Sequence, residues 1–228
     1  MTDFDSYADE YVAALDRGLA ISGENRVFFA RGRVLWLAGC LKKLGFTPKR
    51  VIDYGCGTGT TVPYLRELLG ADFVIGLDIS PRSLEIARVA HQSLPVEYKL
   101  TGEYVPDGSA DLVYCNGVFH HIQPNERAEV LGYIARCLRP DGIFALWENN
   151  PWNPGTRFVM SRIPFDKDAV TLSARLAKAL VRRAGFSVIK TDYCFIFPRI
   201  LRVLRSVEPW LSGFPIGAQY QVLCKNNP

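Results

Sequence analysis

No apolar run in this chain reaches the roughly 18 residues that a membrane-crossing helix needs, and the opening residues, MTDFDSYADEY, lack the basic start and apolar stretch of a signal peptide. Paired cysteines are missing as well. Cys40, Cys56, Cys115, Cys137, Cys194 and Cys224 lie far apart, with no C-x-x-C and no histidine at ligand spacing, so no metal site is expected. Scattered through apolar runs, they read as small buried hydrophobes in a protein of the reducing cytoplasm. A dense stripe of one charge is absent too: 27 Lys and Arg against 23 Asp and Glu leave a net +4, too mild to imply nucleic acid as a partner. With no internal repeat, low-complexity tract or disordered linker, no domain boundary is drawn.

What is present suits a single domain over 1–228, with 48% hydrophobic and 22% charged residues. Residues 1–45 read as a helical lead-in, because the apolar positions of YADEYVAALDRGLA and RVLWLAGCLKKLG recur at three- and four-residue steps and Gly45 sits where a helix would stop. From Arg50 the pattern changes. Short apolar runs (RVIDY, DFVIGLD, VEYKL, DLVYC, GIFALWE) alternate with helical stretches, the mark of βαβ units building a parallel α/β sheet with helices on both faces. Ser80 and Pro81 form an N-cap and first helical position, and RPDG at 139–142 reads as the turn from a helix into the fifth strand. At the end, SVIKTDYCFIF and AQYQVLCK, without a long helix between them, predict an antiparallel pair.

Directly after the first strand come Gly55, Gly57 and Gly59, where missing side chains let backbone approach a ligand at a helix N-terminus. A tight turn with no ligand is the alternative. Asp78, ending the second strand, is placed to accept from both hydroxyls of a ribose, so loop and acid together point to an adenosyl group. The dinucleotide fingerprint G-x-G-x-x-G would need glycine at position 60, which is Thr60, and Asp53 inside the strand would repel a pyrophosphate while suiting a cationic amino group. In VIDYGCGTG, VIGLDIS, PDGSADLVYCNGVFHHI and RPDGIFALWE, taken in order, the chain resembles the class I S-adenosylmethionine-dependent methyltransferases. That resemblance implies a Rossmann-like seven-stranded sheet with an antiparallel last strand, and S-adenosyl-L-methionine as cofactor with S-adenosyl-L-homocysteine as product. It implies a cofactor site at Asp53, Gly55, Cys56, Gly57, Thr58, Gly59, Asp78, Ile79 and Asn116. The segment VEYKLTGEYVPDG departs from the family by lacking its Gly-Asp, which leaves Thr101 and Glu103 as alternatives beside the adenine. Two other readings stay open: an NAD-type oxidoreductase, disfavoured by Thr60 and Asp53, and a module that binds the cofactor without catalysis.

For methyl transfer the protein must align a nucleophile and, for an alcohol or ammonium acceptor, remove a proton, a task suited to histidine. His120 and His121, after the fourth strand, are the catalytic candidates; His91 reads as solvated. Glu148 ends the fifth strand on the same edge, and Trp152 either walls an acceptor pocket or covers the core. The Asn-Pro-Trp at 150–152 is similar to the Asn-Pro-Pro-aromatic motif of amide and exocyclic-amine methylation, but that motif belongs after the fourth strand, so nucleic-acid and release-factor acceptors lose support. Tyr7, Tyr11, Phe29, Arg31 and Arg33 in the lead-in offer a lid, with an arginine for the methionine carboxylate, or ordinary helix packing. Finally, residues 198–217 predict a basic amphipathic helix. At about 100° per residue, Arg199, Arg202, Arg205 and Ser206 fall opposite Ile200, Leu201, Val203, Leu204, Val207 and Leu211. Its apolar side either packs on the domain's own sheet edge or a second subunit, or rests on a membrane surface or a greasy acceptor. The expected activity is methyl transfer to a small-molecule or lipid-linked acceptor.

Overall fold

The computed structural model describes residues 15–163 and 169–227; Tyr7 and Tyr11 lie outside them, as does the lead-in before residue 15. Residues 15–19 are helical, and Asn25 caps the first long helix, α1 (Arg26–Lys43), by accepting from the Phe28 N–H. The alternation predicted from Arg50 onward follows: β1 (Arg50–Tyr54), α2 (Val62–Leu69), β2 (Phe73–Asp78), α3 (Pro81–Ala90), β3 (Val96–Leu100), β4 (Ala110–Asn116), α4 (Arg127–Cys137) and β5 (Leu138–Asn149). Then come α5 (Pro154–Met160), α6 (Ala174–Arg183), β6 (Phe186–Cys194), a 3-10 helix (Arg199–Val207), the short α7 (Glu208–Leu211) and β7 (Gln219–Asn226).

The seven strands run in the order β3-β2-β1-β4-β5-β7-β6, and β7 slots antiparallel between β5 and β6. Alternation of side chains along each strand feeds two cores. Ile52, Ile75, Val113 and Phe144 face α4 and α6, while Val51, Val74, Leu112 and Trp147 face α1, α2 and α3. Because β1 is flanked by β2 on one side and β4 on the other, chain connections diverge there, opening a crevice at the C-terminal ends of β1 and β4.

Two predicted elements differ in detail. RPDG does not form a separate turn: it lies inside β5 as an irregularity between the pairs Ala110↔Leu138 and Leu112↔Ile143, with Asp141 at φ 64°. The 198–217 segment is not an α-helix. Arg199–Val207 winds as a 3-10 helix, broken at Leu201, and only Glu208–Leu211 is α-helical. The residues explain this. Arg-Ile-Leu, Arg-Val-Leu and Arg-Ser-Val repeat every third position, and a period of three matches the three residues per turn of a 3-10 helix, not the 3.6 of an α-helix.

The segment is fastened at its far end. Asn150, fully buried, donates from Nδ2 to the carbonyls of Pro215 (3.0 Å) and Gly217 (2.8 Å), and Asn153 Nδ2 donates to that of Ile216 (2.8 Å). Buried Asp192 accepts from Ser212 Oγ (3.2 Å), from Trp36 Nε1 in α1 (3.1 Å) and from Lys190 Nζ (2.8 Å). The out-of-place Asn-Pro-Trp is thus a clamp on the chain.

Candidate active site

The glycine loop is stitched to β2 by N–H donation from Gly55 (2.7 Å) and Cys56 (3.0 Å) to the Leu77 carbonyl. All three glycines have positive φ (73°, 53° and 76°), but for different reasons. A Cβ on Gly55 would run into Val118, and one on Gly59 would lie 2.8 Å from the Tyr98 hydroxyl, whereas around Gly57 nothing stands within 4 Å. Gly55 and Gly59 therefore shape the turn, and Gly57 alone presents bare backbone to open space. His91 is not simply solvated: its ring packs over Gly59, and burial lowers its pKa, partly offset by a hydrogen bond with the Gly59 backbone.

Asp78 is held from both oxygens, accepting from the Gly57 N–H at Oδ2 (2.8 Å) and the Ser80 N–H at Oδ1 (2.9 Å). Behind the loop, Asp53 is buried in β1 with Oδ2 lacking a hydrogen-bond partner among the described residues. Burial, reinforced by the charge of Asp78 and opposed by Arg33, pushes its carboxyl up to about 7. Asn116 Oδ1 and Trp147 Nε1, opposite one another across β4 and β5, are also buried without partners. Such orphaned groups are what a polar ligand would satisfy. Cys56 offers backbone only, since its thiol points into the core and burial raises its pKa further. Thr58 is half-buried in the loop, and Ile79 is half-exposed next to Asp78. Thr101 donates its N–H to the Asp78 carbonyl (2.9 Å), putting the turn that also holds Glu103 beside β2.

After β4, Gly117 at φ 66° turns the chain so that Val118–Ile122 cross the end of β5. Glu148, 1% exposed, accepts from the Phe119 N–H at Oε1 (2.7 Å) and lies 2.6 Å from His120 Nδ1 through Oε2. Burial alone would raise the carboxyl of Glu148, but the adjacent His120 and the Phe119 N–H outweigh it and hold it below its ordinary value. An ionised Glu148 can only accept, so Nδ1 carries the proton of the ring. The His120 and His121 rings lie 4.1 Å apart, and the His120 carbonyl is bonded by the Val170 N–H (2.8 Å).

Both histidines line a cavity of about 610 Å³. One end is polar: Arg33 donates to Tyr114 OH (3.0 Å) and Gln219 Oε1 (2.9 Å), and Gln219 passes a bond on to Asn149 Oδ1 (3.1 Å). Elsewhere the walls are Phe28, Phe29, Met160, Ile163, Phe195 and Phe197. Arg205 closes one side, 2.9 Å from Glu24, with its guanidinium 4.6 Å from the Phe28 ring centroid. Of the lead-in candidates, Arg33 and Phe29 reach the cavity and Arg31 is exposed; Trp152, 73% exposed, neither walls the cavity nor covers the core. The Glu148–His120 pair and the Arg33–Gln219–Asn149 chain escaped the sequence because their partners lie on different elements: a helix, a loop and two strands. The only signal was that Glu148 and the histidines both end strands on one edge.

A methyltransferase-domain family profile matches residues 52–146. An uncharacterized methyltransferase of Synechocystis sp. is 30% identical over 160 residues, covering 66% of this chain and 73% of that protein. The chain belongs to the class I S-adenosylmethionine-dependent methyltransferases. S-adenosylmethionine is accordingly the cofactor of this methyltransferase. Trans-aconitate 2-methyltransferase of Acidovorax sp. is 25% identical over 159 residues, and the match spans 68% of this chain but only 58% of that enzyme. In fold, the methyltransferase is similar to a SAM-dependent methyltransferase, possible histamine N-methyltransferase, from Thermotoga maritima, at 21% identity and a TM-score of 0.68 over 98% of both chains. Among the described residues, no helix is long and apolar enough to cross a membrane.

Proposed function

We propose that this methyltransferase acts on a small-molecule or lipid-linked acceptor seated in the cavity, with His120 as the proton acceptor and Glu148 orienting it. The observation that carries the reading is a buried carboxylate–imidazole pair whose His120 ring lines a cavity with a large aromatic and aliphatic wall. S-adenosylmethionine supplies an electrophilic methyl on a sulfonium and leaves as S-adenosylhomocysteine. The part of the chain's own residues is the proton: His120 Nε2 would take it from the acceptor heteroatom, and Glu148 would stabilise the imidazolium that results. Asp53, the Gly55–Gly59 loop, Asp78, Ile79 and Asn116 fit the cofactor. Gly57 supplies open backbone, Asp78 a fixed ribose acceptor, and Asp53 Oδ2 an unpartnered acceptor toward the methionine ammonium, directly or through water.

The relatives act on chemically distant acceptors, trans-aconitate in one case and ribosomal protein L11 in another. Two of the cavity cations are already paired, Arg205 with Glu24 and Arg26 with Asp16 (2.8 Å), and only Arg33, bonded to the neutral Tyr114 and Gln219, keeps its charge, which suits one carboxylate rather than three. A protic group on an apolar body matches the walls. The test is S-adenosylhomocysteine release with a series of phenols and alcohols of increasing alkyl length. KM should fall as the chain lengthens, by about threefold or more per buried methylene. Faster turnover of trans-aconitate than of every member of that series would overturn the acceptor class.

Asp53 makes the cofactor site pH-sensitive. The unfolded chain releases this proton near 3.8 and the folded one holds it to about 7, so the contribution of Asp53 to stability declines as pH rises across that window. An ammonium ligand reverses the preference by favouring the carboxylate. Affinity for S-adenosylhomocysteine is therefore expected to rise between about pH 6 and 8, by severalfold, and Asp53→Asn to flatten the dependence in calorimetric titrations at stepped pH.

A further inference from the structure

One wall of the cavity, at Phe197, Pro198 and Arg205, runs on into a ridge that the active site does not use. Along the 3-10 helix, Arg205 turns inward to Glu24 and to the Phe197 carbonyl (3.0 Å), while Ile200 and Val203 stand 88% and 78% exposed. The ridge continues through Trp210 (83%) and Phe214 (59%). Of the three arginines only Arg205 turns in, and the apolar Ile200 and Val203 face out instead of packing on the domain. A run of large exposed apolar side chains on one surface stretch marks a contact surface rather than random scatter. The ridge is also rigidly placed, since Asn150, Asn153 and Asp192 bind its C-terminal end.

Its charge is one-signed. Arg202 is exposed beside the apolar side chains, and Arg199, also exposed, makes one long bond to the Gly23 carbonyl (3.3 Å). Between Phe195 and Gly217 the sole acid is Glu208, whose carboxylate is partly buried and accepts from the Phe197 N–H (2.9 Å). A two-fold contact between copies of the chain through this ridge would bring Arg199 and Arg202 toward their own counterparts with no acid on the ridge to meet them.

We propose that the ridge at 199–216 docks on an anionic lipid bilayer, with Ile200, Val203, Trp210 and Phe214 entering the headgroup boundary and Arg199 and Arg202 meeting lipid phosphates. The surface is continuous with the cavity: Phe197, Pro198 and Arg205 line the cavity and also begin the ridge. A bilayer seated there lies along the wall of the cavity that Phe197, Pro198 and Arg205 form.

Co-sedimentation of the full chain with phosphatidylcholine vesicles, with and without about 30 mol% phosphatidylglycerol, tests this. Binding to the anionic vesicles should exceed binding to the neutral ones by about tenfold, with Arg202→Ala cutting that preference severalfold. The double variant Val203→Asp, Trp210→Ser should lose vesicle binding yet keep S-adenosylhomocysteine affinity in calorimetry. That retention shows that the variant folds and that the methyltransferase reading stands independently. Absent binding, or equal binding to both vesicles, overturns the proposal. So does a concentration-dependent dimer in sedimentation velocity that the double variant dissolves, which would make a second copy the occupant.

Discussion

His120→Ala is expected to lower kcat by about 10²–10⁴-fold on any acceptor that must lose a proton, while S-adenosylhomocysteine affinity stays within about twofold, since the ring is assigned to the acceptor end of the site. Glu148→Gln separates positioning from proton transfer. The glutamine oxygen can still accept from the Phe119 N–H, but its amide then faces Nδ1 as a donor and drives the ring to the other tautomer, with the proton on Nε2. The expected result is a large fall in kcat, a displaced pH–rate profile and a smaller change in KM. Glu148→Asp, which keeps the charge on a shorter arm, should recover part of the rate. A variant at Glu148 that loses thermal stability but retains its pH profile would reduce the pair to a structural bond. An acceptor already ionised before binding would show little dependence on His120, so the size of the effect also reports what kind of nucleophile the cavity takes.

Asp78→Ala should weaken S-adenosylhomocysteine by about tenfold to more than a hundredfold, on the basis of roughly 1.5 to 3 kcal/mol for each charged hydrogen bond lost. The carboxylate does two things at once: it is placed for the ribose, and it anchors the Gly57 and Ser80 N–H groups. Asp78→Asn distinguishes these, because one amide oxygen can keep a backbone bond while the charge is gone. An intermediate affinity with an unchanged melting temperature assigns the loss to ribose recognition. Titration with NADH in parallel provides the contrast, since Asp53 and Thr60 oppose a pyrophosphate on this loop; tight NADH binding sensitive to Asp78 would contradict the site assignment.

The parallel core was readable from the sequence because its signals are local: apolar runs of strand length, Ser80-Pro81 at a helix start, and glycines in the turn after β1. The cofactor loop was readable for the same reason. Glu148 beside His120, and Arg33 beside Gln219, were not, since their contacts join residues far apart in the chain and no spacing encodes a strand order. The 199–207 segment failed differently. Its triplet repeat was visible, but reading it at α-helical pitch scrambled which side chains share a face, and the direction of the apolar face depends on Arg205 finding Glu24 across 181 positions.

The fastening of that segment is uneven along its length. Its C-terminal end is bolted by buried amide and carboxylate bonds from Asn150 and Asp192, whereas its contact with the lead-in rests on Arg205, paired with Glu24 and stacked on Phe28, and on one long bond from Arg199 to the Gly23 carbonyl (3.3 Å). The Glu24 side is thus held by fewer contacts than the Asn150 side, and backbone amide exchange is expected to be faster in the helical turns before Asn25 than across 215–217.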